Sequence, residues 1–229
     1  MRKSTFDYEP SLLEQEGSQM RINFDVERAT ESYPAMDGED SGTVEREVFK
    51  AYVVRVPMPL TADAVRQAVT AQGFDELKAE AVATEVVFVS GGSSDLDLAK
   101  AMVIARIALR DSSPAVNDFT IDGQHHWIPR EMRDMFQNRL TQEARRGNET
   151  VSLDLPDAAE GAVPLTLNVG QAQQMLDVLN DYATDCYDRT QQHKRAVAAL
   201  TTVDEALAYD YTTGYPEKIS FDEMFSNAG

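Results

Sequence analysis

One cysteine, Cys186, and one tryptophan, Trp127, occur in 229 residues. A lone cysteine excludes an internal disulfide framework and a cysteine-built zinc site within one chain, so synthesis in a reducing cytoplasm is expected. Basic residues are scarce too, with 21 Lys and Arg against 39 Asp and Glu and a formal charge of −18. A surface of that sign repels phosphate backbones and anionic headgroups, which argues against nucleic acid and membrane partners. The acidity then means either a basic protein partner or solubility. No stretch approaches the roughly 20 consecutive apolar residues of a membrane-crossing helix, and the N-terminus lacks the basic start and apolar run of a secretory leader. Membrane insertion and export are not expected. The length predicts one core domain plus a smaller unit or arm.

Residues 1–47 are polar, mostly acidic and broken by Pro10, Gly17, Pro34, Gly38 and Gly42. Met20, Ile22, Phe24 and Val26 alternate there with the period of one strand. So little apolar surface predicts an acidic arm, either disordered or ordered only on a neighbouring subunit, with those four side chains as candidate contacts. Truncation of residues 1–45 is then expected to leave the remainder folded while weakening assembly. Residues 48–94 read as a small β-α unit and linker. The run VFKAYVVRV is β-branched and aromatic and stops at Pro57 and Pro59; Thr61 caps a helix carrying Ala64, Val65, Ala68 and Val69 as far as Gly73. Residues 74–89 fit a helix in FDELKAEAVATEV and a strand in the trailing VVFV, before a break from Gly91 to Ser94.

Residues 95–229 read as an α+β domain. Ser94 and Asp97 have cap spacing for a helix from about Asp95 to Arg110. Asp122-Gly123 signals a hairpin. A two-residue loop sets Trp127 across from Asp118, and a three-residue loop sets it across from Phe119; the second buries both rings and is favoured. Pro129 suits the first turn of a helix reaching about Arg146, with Met132, Met135, Phe136, Leu140 and Ala144 inward and Gly147 as its stop. Residues 150–154 and 163–167 form a second strand pair around the acidic loop DAAEG. Asn168 and Gln171 then open a helix that reaches Leu200, about 45 Å at 1.5 Å per residue. Its inward line is Ala172, Met175, Leu176, Leu179, Ala183, Cys186, Tyr187, Val197 and Leu200. Thr202 and Glu205 cap a short helix ahead of YDYTTGYPEK. The fold expected is a long C-terminal helix packed with short antiparallel strands and two further helices, preceded by the β-α unit and the arm.

The residues capable of chemistry do not assemble into a catalytic set. His125 and His126 are adjacent and face opposite ways in a strand, and His193 is distant, so neither a metal nor another cofactor is expected. Cys186 and His193 lie about 10 Å apart along one helix axis, too far for a nucleophile and its base. Asp181, Asp185 and Asp188 follow helical spacing but lack the loop carbonyls and glycine turn of a calcium site, which makes them solvated surface. Gly91-Gly92 lacks the spacing and lysine of a phosphate loop. Tyr209, Tyr211 and Tyr215 offer large amphipathic area and either close the end of the long helix or face a partner. Tyr211 and Tyr215, together with Trp127, are therefore candidate interface residues, and the protein is expected not to be an enzyme.

Three stretches carry a resemblance: NDFTIDGQHHWIPREMR at 117–133, QAQQMLDVLNDYATDCYDRTQQHKRAV at 171–197 and ALTTVDEALAYDYTTGYPEK at 199–218. They are similar to the proteins grouped under domain of unknown function 4376, found chiefly in phages and in prophage regions of gut bacteria, and cover roughly the C-terminal half. Pro129 stands where acidic residues are usual in that family. The resemblance implies genes lying among tail, tail-fibre and baseplate genes, with no catalytic residues assigned. It implies a structural or assembly protein of the phage tail, made in the host cytoplasm, whose partners are its own copies and other tail proteins. Two alternatives stay open: a cytoplasmic chaperone of fibre subunits that is absent from the particle, and a small enzyme acting on host envelope or defence metabolites.

Overall fold

The computed structural model describes residues 2–34, 43–156, 162–222 and 224. The loop DAAEG and residues 35–42 of the expected arm lie outside them. The chain is α+β. Its strands are β1 (Ser4–Phe6), β2 (Leu13–Glu16), β3 (Gln19–Pro34), β4 (Thr43–Pro57), β5 (Phe119–Ile121), β6 (Gln124–His126), β7 (Thr150–Pro156) and β8 (Ala162–Asn168). Its helices are α1 (Ala62–Ala71), α2 (Glu76–Ser90), α3 (Leu96–Asp111), α4 (Pro114–Asn117), α5 (Arg130–Arg146), α6 (Val169–Ala199) and α7 (Val203–Ala208). Two compact units divide the chain: Met1–Arg106 with Thr201–Ala208, and Ile107–Leu200 with Tyr209–Gly229. The division falls inside α3, twelve residues beyond the expected boundary at 94/95, and assigns α7 to the first unit.

In the first unit an antiparallel sheet runs in the order β1-β4-β3-β2. Its inner face joins Ile22, Phe24, Val54 and Val56 to Val65 and Val69 of α1 and to Ala79, Val82, Ala83 and Val86 of α2. Phe24, Tyr52 and Phe74 close one end with ring centroids 4.8–5.7 Å apart. The expected arm is therefore corrected: residues within 1–47 form β1, β2, β3 and the start of β4. Ile22 and Phe24, expected as contacts for a partner, are 0% and 4% exposed, and Met20 packs beside them. These few apolar residues need no core of their own, because β4 and two helices supply the opposing surface. Val26 departs from the alternation. A bulge between Phe24 and Glu27, with Asp25 at φ 52°, turns it outward to 37% exposure. Lys78 of α2 reaches across to the Asp25 carboxylate at 2.5 Å.

Of residues 74–89, all from Glu76 onward are helical, including the trailing VVFV. Asp75 accepts from the Lys78 N–H at 2.7 Å, and the β-branched end continues as helix because α2 buries Ala81 and Phe88 as well as its sheet-facing side. Asp95, and not Ser94, caps α3, accepting from the N–H groups of Asp97 and Leu98 at 2.9 and 3.1 Å.

In the second unit α6 is the spine. Ala172, Met175, Leu176 and Leu179 pack with Val151, Leu153, Leu155 and Leu167 of the β7-β8 hairpin, with Phe136 and Leu140 of α5, and with Phe119, Ile121, Ile128 and Phe221. Asn168 and Gln171 form a reciprocal capping box at its start, and Gly147 ends α5 at φ 75°. Replacing Asn168 by Ala is expected to cost about 0.5–2 kcal/mol in denaturant unfolding, because the N–H group of Gly170 loses its fixed acceptor, the Asn168 side-chain oxygen.

The Asp-Gly hairpin has the shorter loop. Asp122 and Gly123 have φ 50° and 71°, the paired left-handed geometry of a type I′ turn, and the ladder begins at Ile121↔Gln124. Phe119 therefore pairs with His126, packs edge-on against Phe221 at 5.6 Å, and does not face Trp127, which is half-buried beyond the ladder. Some side chains expected to point inward differ as well, and Leu200 is only partly buried. Met135, Ala144 and Tyr187 are exposed, Tyr187 at 56%, and Ala183 is only partly buried.

Candidate functional site

After α7 the chain runs back over the second unit as a strap from Tyr209 to Phe221. Its beginning is held by α6. The inward line Leu179, Cys186 and Val197 is completed at the same spacing by Tyr182, Thr190 and His193, three polar positions absent from the apolar pattern. His193 is 1% exposed. Its Nε2 lies 2.9 Å from the Thr213 carbonyl oxygen and its Nδ1 lies 2.8 Å from the Tyr209 hydroxyl. A carbonyl can only accept, so Nε2 carries the proton and Nδ1 accepts from Tyr209. Arg189 Nε donates to the same Thr213 oxygen at 3.1 Å. The guanidinium of Arg189 occupies the space a Cβ on Gly214 would take, and Gly214 has φ +76°.

One turn earlier on α6, Thr190 donates to Asp111 Oδ1 at 2.6 Å and lies 3.1 Å from the Tyr215 hydroxyl. With the Thr190 proton committed to the carboxylate, Tyr215 is the donor in the second bond. The Tyr215 and His193 rings pack at a tilt of 34° with centroids 5.6 Å apart, and the Arg110 guanidinium lies 5.8 Å from the Tyr215 ring centroid. Burial pushes the His193 imidazole below its ordinary value; the Thr213 carbonyl opposes this, Arg189 and Arg110 reinforce it and Asp210 opposes it. Burial also raises the Tyr215 hydroxyl and the Cys186 thiol. Cys186 packs with Val116 and Tyr182 and is held as a neutral thiol, unsuited to attack.

Thr190→Val is expected to cost about 1–3 kcal/mol, since it keeps the shape and removes the donor to Asp111 and the acceptor of Tyr215. Combined with Tyr215→Phe, the loss should be less than the sum of the two single losses in a double-mutant cycle.

The far end of the strap is fixed by a second polar group. Asp118 Oδ2 receives Lys218 Nζ at 2.9 Å and His125 Nδ1 at 2.8 Å. Thr120 and the strap exchange backbone bonds through Ile219 and Phe221 at 3.0 and 2.9 Å, and Phe221 enters the core. The His125 side chain is exposed while His126 is buried, as opposite faces of a strand require. An imidazole oriented by a carboxylate is one component of a general base, but here that carboxylate also ties down Lys218.

Of the expected contact residues, Tyr215 is engaged by Thr190 and Tyr211 and Trp127 are half-buried. Met20, Ile22 and Phe24 belong to the sheet side of the first unit, and Val26 alone of that group is exposed. Asp181, Asp185 and Asp188 are exposed on α6. Among the described residues no three His, Cys, Asp or Glu side chains converge as a metal-binding group, and no helix is long and apolar enough to cross a membrane. The partly buried Asp111 and the buried Thr190 and His193 are the strap partners that sequence reasoning missed; the signal for Thr190 and His193 was their place in the inward spacing of α6. Comparison with protein-family models, curated proteins and solved structures found no match.

Proposed function

We propose that this chain acts without turnover, through protein contacts, as a structural or assembly component of a bacteriophage tail. The observation that carries the contact reading is the outer part of the first sheet. β3 and β4 stay paired from Glu27↔Lys50 to Pro34↔Thr43, while β1 covers β4 only at Phe49–Ala51 and β2 covers β3 only at Gln19–Ile22. Arg28–Pro34 and Thr43–Val48 therefore form a two-stranded ribbon paired with no third strand among the described residues. Open strand edges are surfaces to which another chain can add. One ribbon face carries Tyr33 opposite Val44, and Val44 is 46% exposed. Ion pairs Arg28–Glu47 and Lys50–Glu31 line the same ribbon, a charge pattern that discourages indiscriminate edge pairing.

The internal use of His193, Thr190, Asp111, Tyr209 and Tyr215 as one another's partners supports a structural role for the strap. The tail setting rests on the resemblance of residues 117–133, 171–197 and 199–218. The test is the double variant Tyr33→Lys with Val44→Lys, assayed for incorporation into assembling particles and for thermal stability. Stability should change by no more than about 0.5 kcal/mol per site, and incorporation should fall at least tenfold. Normal incorporation of the folded variant would reject the ribbon as the contact element.

A further inference from the structure

As a neutral imidazole, His193 has both ring nitrogens satisfied by the strap. Its two nitrogens make one donated and one accepted bond, and both partners, Thr213 and Tyr209, belong to the strap. A second proton would sit on Nδ1, where the Tyr209 hydroxyl now donates; that hydroxyl would have to turn and give up its own acceptor. The added charge would enter a site that already holds two guanidiniums. Arg189 is hydrogen-bonded to the same Thr213 oxygen, and Arg110 lies over the Tyr215 ring with its Nε lacking a hydrogen-bond partner. The carboxylates facing the hub are committed elsewhere: Asp111 to Thr190, and Asp210 to the N–H and hydroxyl of Thr212. The remaining titratable neighbours are Tyr209 and Tyr215, and burial raises the Tyr215 hydroxyl.

We propose that His193 is an acid-sensitive latch: one proton on its imidazole loosens the Tyr209–Tyr215 stretch from α6. The far end stays anchored independently, by Lys218 on Asp118, by the Ile219 and Phe221 backbone bonds to Thr120 and by Phe221 in the core. The latch is therefore local, exposing the Thr190 and His193 face of α6 while the β7-β8 side of the unit stays closed.

The sign follows from linkage. The latched state holds His193 neutral with its affinity for a proton depressed, and the open state has the ordinary imidazole. Latching is at full strength above the ordinary imidazole value of about 6.5. It weakens as pH falls below that value, and the loss levels off once pH passes the depressed latched-state value.

The experiment is amide hydrogen exchange of residues 211–215 in the full chain between pH 7.5 and 5.0, corrected for intrinsic exchange chemistry, with the β7-β8 amides as reference. Strap exchange is expected to speed up by as much as about tenfold per pH unit below 6.5, with the reference unchanged. His193→Gln retains a donor and an acceptor but gains no proton, so its strap exchange should be flat across this range. Tyr209→Phe leaves Nδ1 without its donor, raises the latched-state affinity for a proton toward that of the open state, and should shrink the pH-dependent acceleration while leaving its onset near about 6.5. A wild-type strap indifferent to pH, or an unaltered response in His193→Gln, would overturn the latch. Should His193→Gln not fold, Tyr209→Phe decides alone: a smaller pH-dependent acceleration supports the latch and an undiminished one overturns it.

Discussion

A chain lacking residues 1–45 is expected to lose the fold of its first unit. The deletion removes β1, β2 and β3 together with Ile22 and Phe24, which are buried against α1 and α2. Each such side chain is worth about 1.5–3 kcal/mol of burial, and the loss exposes Val54, Val56, Val65, Val69, Val82 and Val86 on the facing elements. The backbone of β4 also loses its ladder on both sides, since β1 and β3 are its two neighbours. Against a total stability of about 5–15 kcal/mol for an ordinary domain, that loss is decisive. Circular dichroism of the truncated chain should lack the helical signal of α1 and α2, and its melting should lose a cooperative component. A truncated chain with wild-type ellipticity and melting temperature would restore the idea of a dispensable arm.

Leu176→Ala should be the most damaging single truncation on the spine of the second unit. Leu176 is fully buried on α6, inside a cluster drawn from α5, the β7-β8 hairpin and the β5-β6 region. Elements approaching from several directions relax poorly into a void, so the cost belongs in the range of about 2–5 kcal/mol for Leu to Ala. Chemical denaturation should show a lower midpoint with an unchanged slope. Leu207→Ala, at a position 46% exposed, is the matched control and should stay within about 0.5 kcal/mol of wild type.

Local signals in the sequence were strong where a single residue determines backbone geometry. Thr61, Gly73, Asn168 with Gln171, Gly147 and Thr202 mark helix ends because each satisfies or terminates hydrogen bonding within a few residues. The long helix and the 150–168 hairpin were legible for that reason. Long-range pairing was not. Ile22 and Phe24 alternate correctly for a strand, yet nothing nearby shows that residues 48–57 and two helices will cover them. At Asp122-Gly123 turn geometry outweighs the burial of Trp127: an Asp-Gly pair with both residues left-handed closes in two residues and lets Phe221, about a hundred positions later, take the place beside Phe119.

The strap cluster was half legible. The three tyrosines stood out in sequence by their type and by Gly214 and Pro216 among them, and Tyr209 and Tyr215 do close against the long helix. Their partners are hidden in sequence because Thr190 and His193 are polar, and an apolar periodicity passes over them. Spacing alone places them there: Cys186, Thr190, His193 and Val197 are successive steps of three or four along one face.

Mass spectrometry of purified phage particles, with quantification against known tail proteins, tests the functional proposal most directly. A tail component predicts this chain in the tail-enriched fraction at a fixed copy number relative to a tail protein. Abundance in the infected-cell lysate with absence from washed particles would contradict it and would place the chain among cytoplasmic assembly factors.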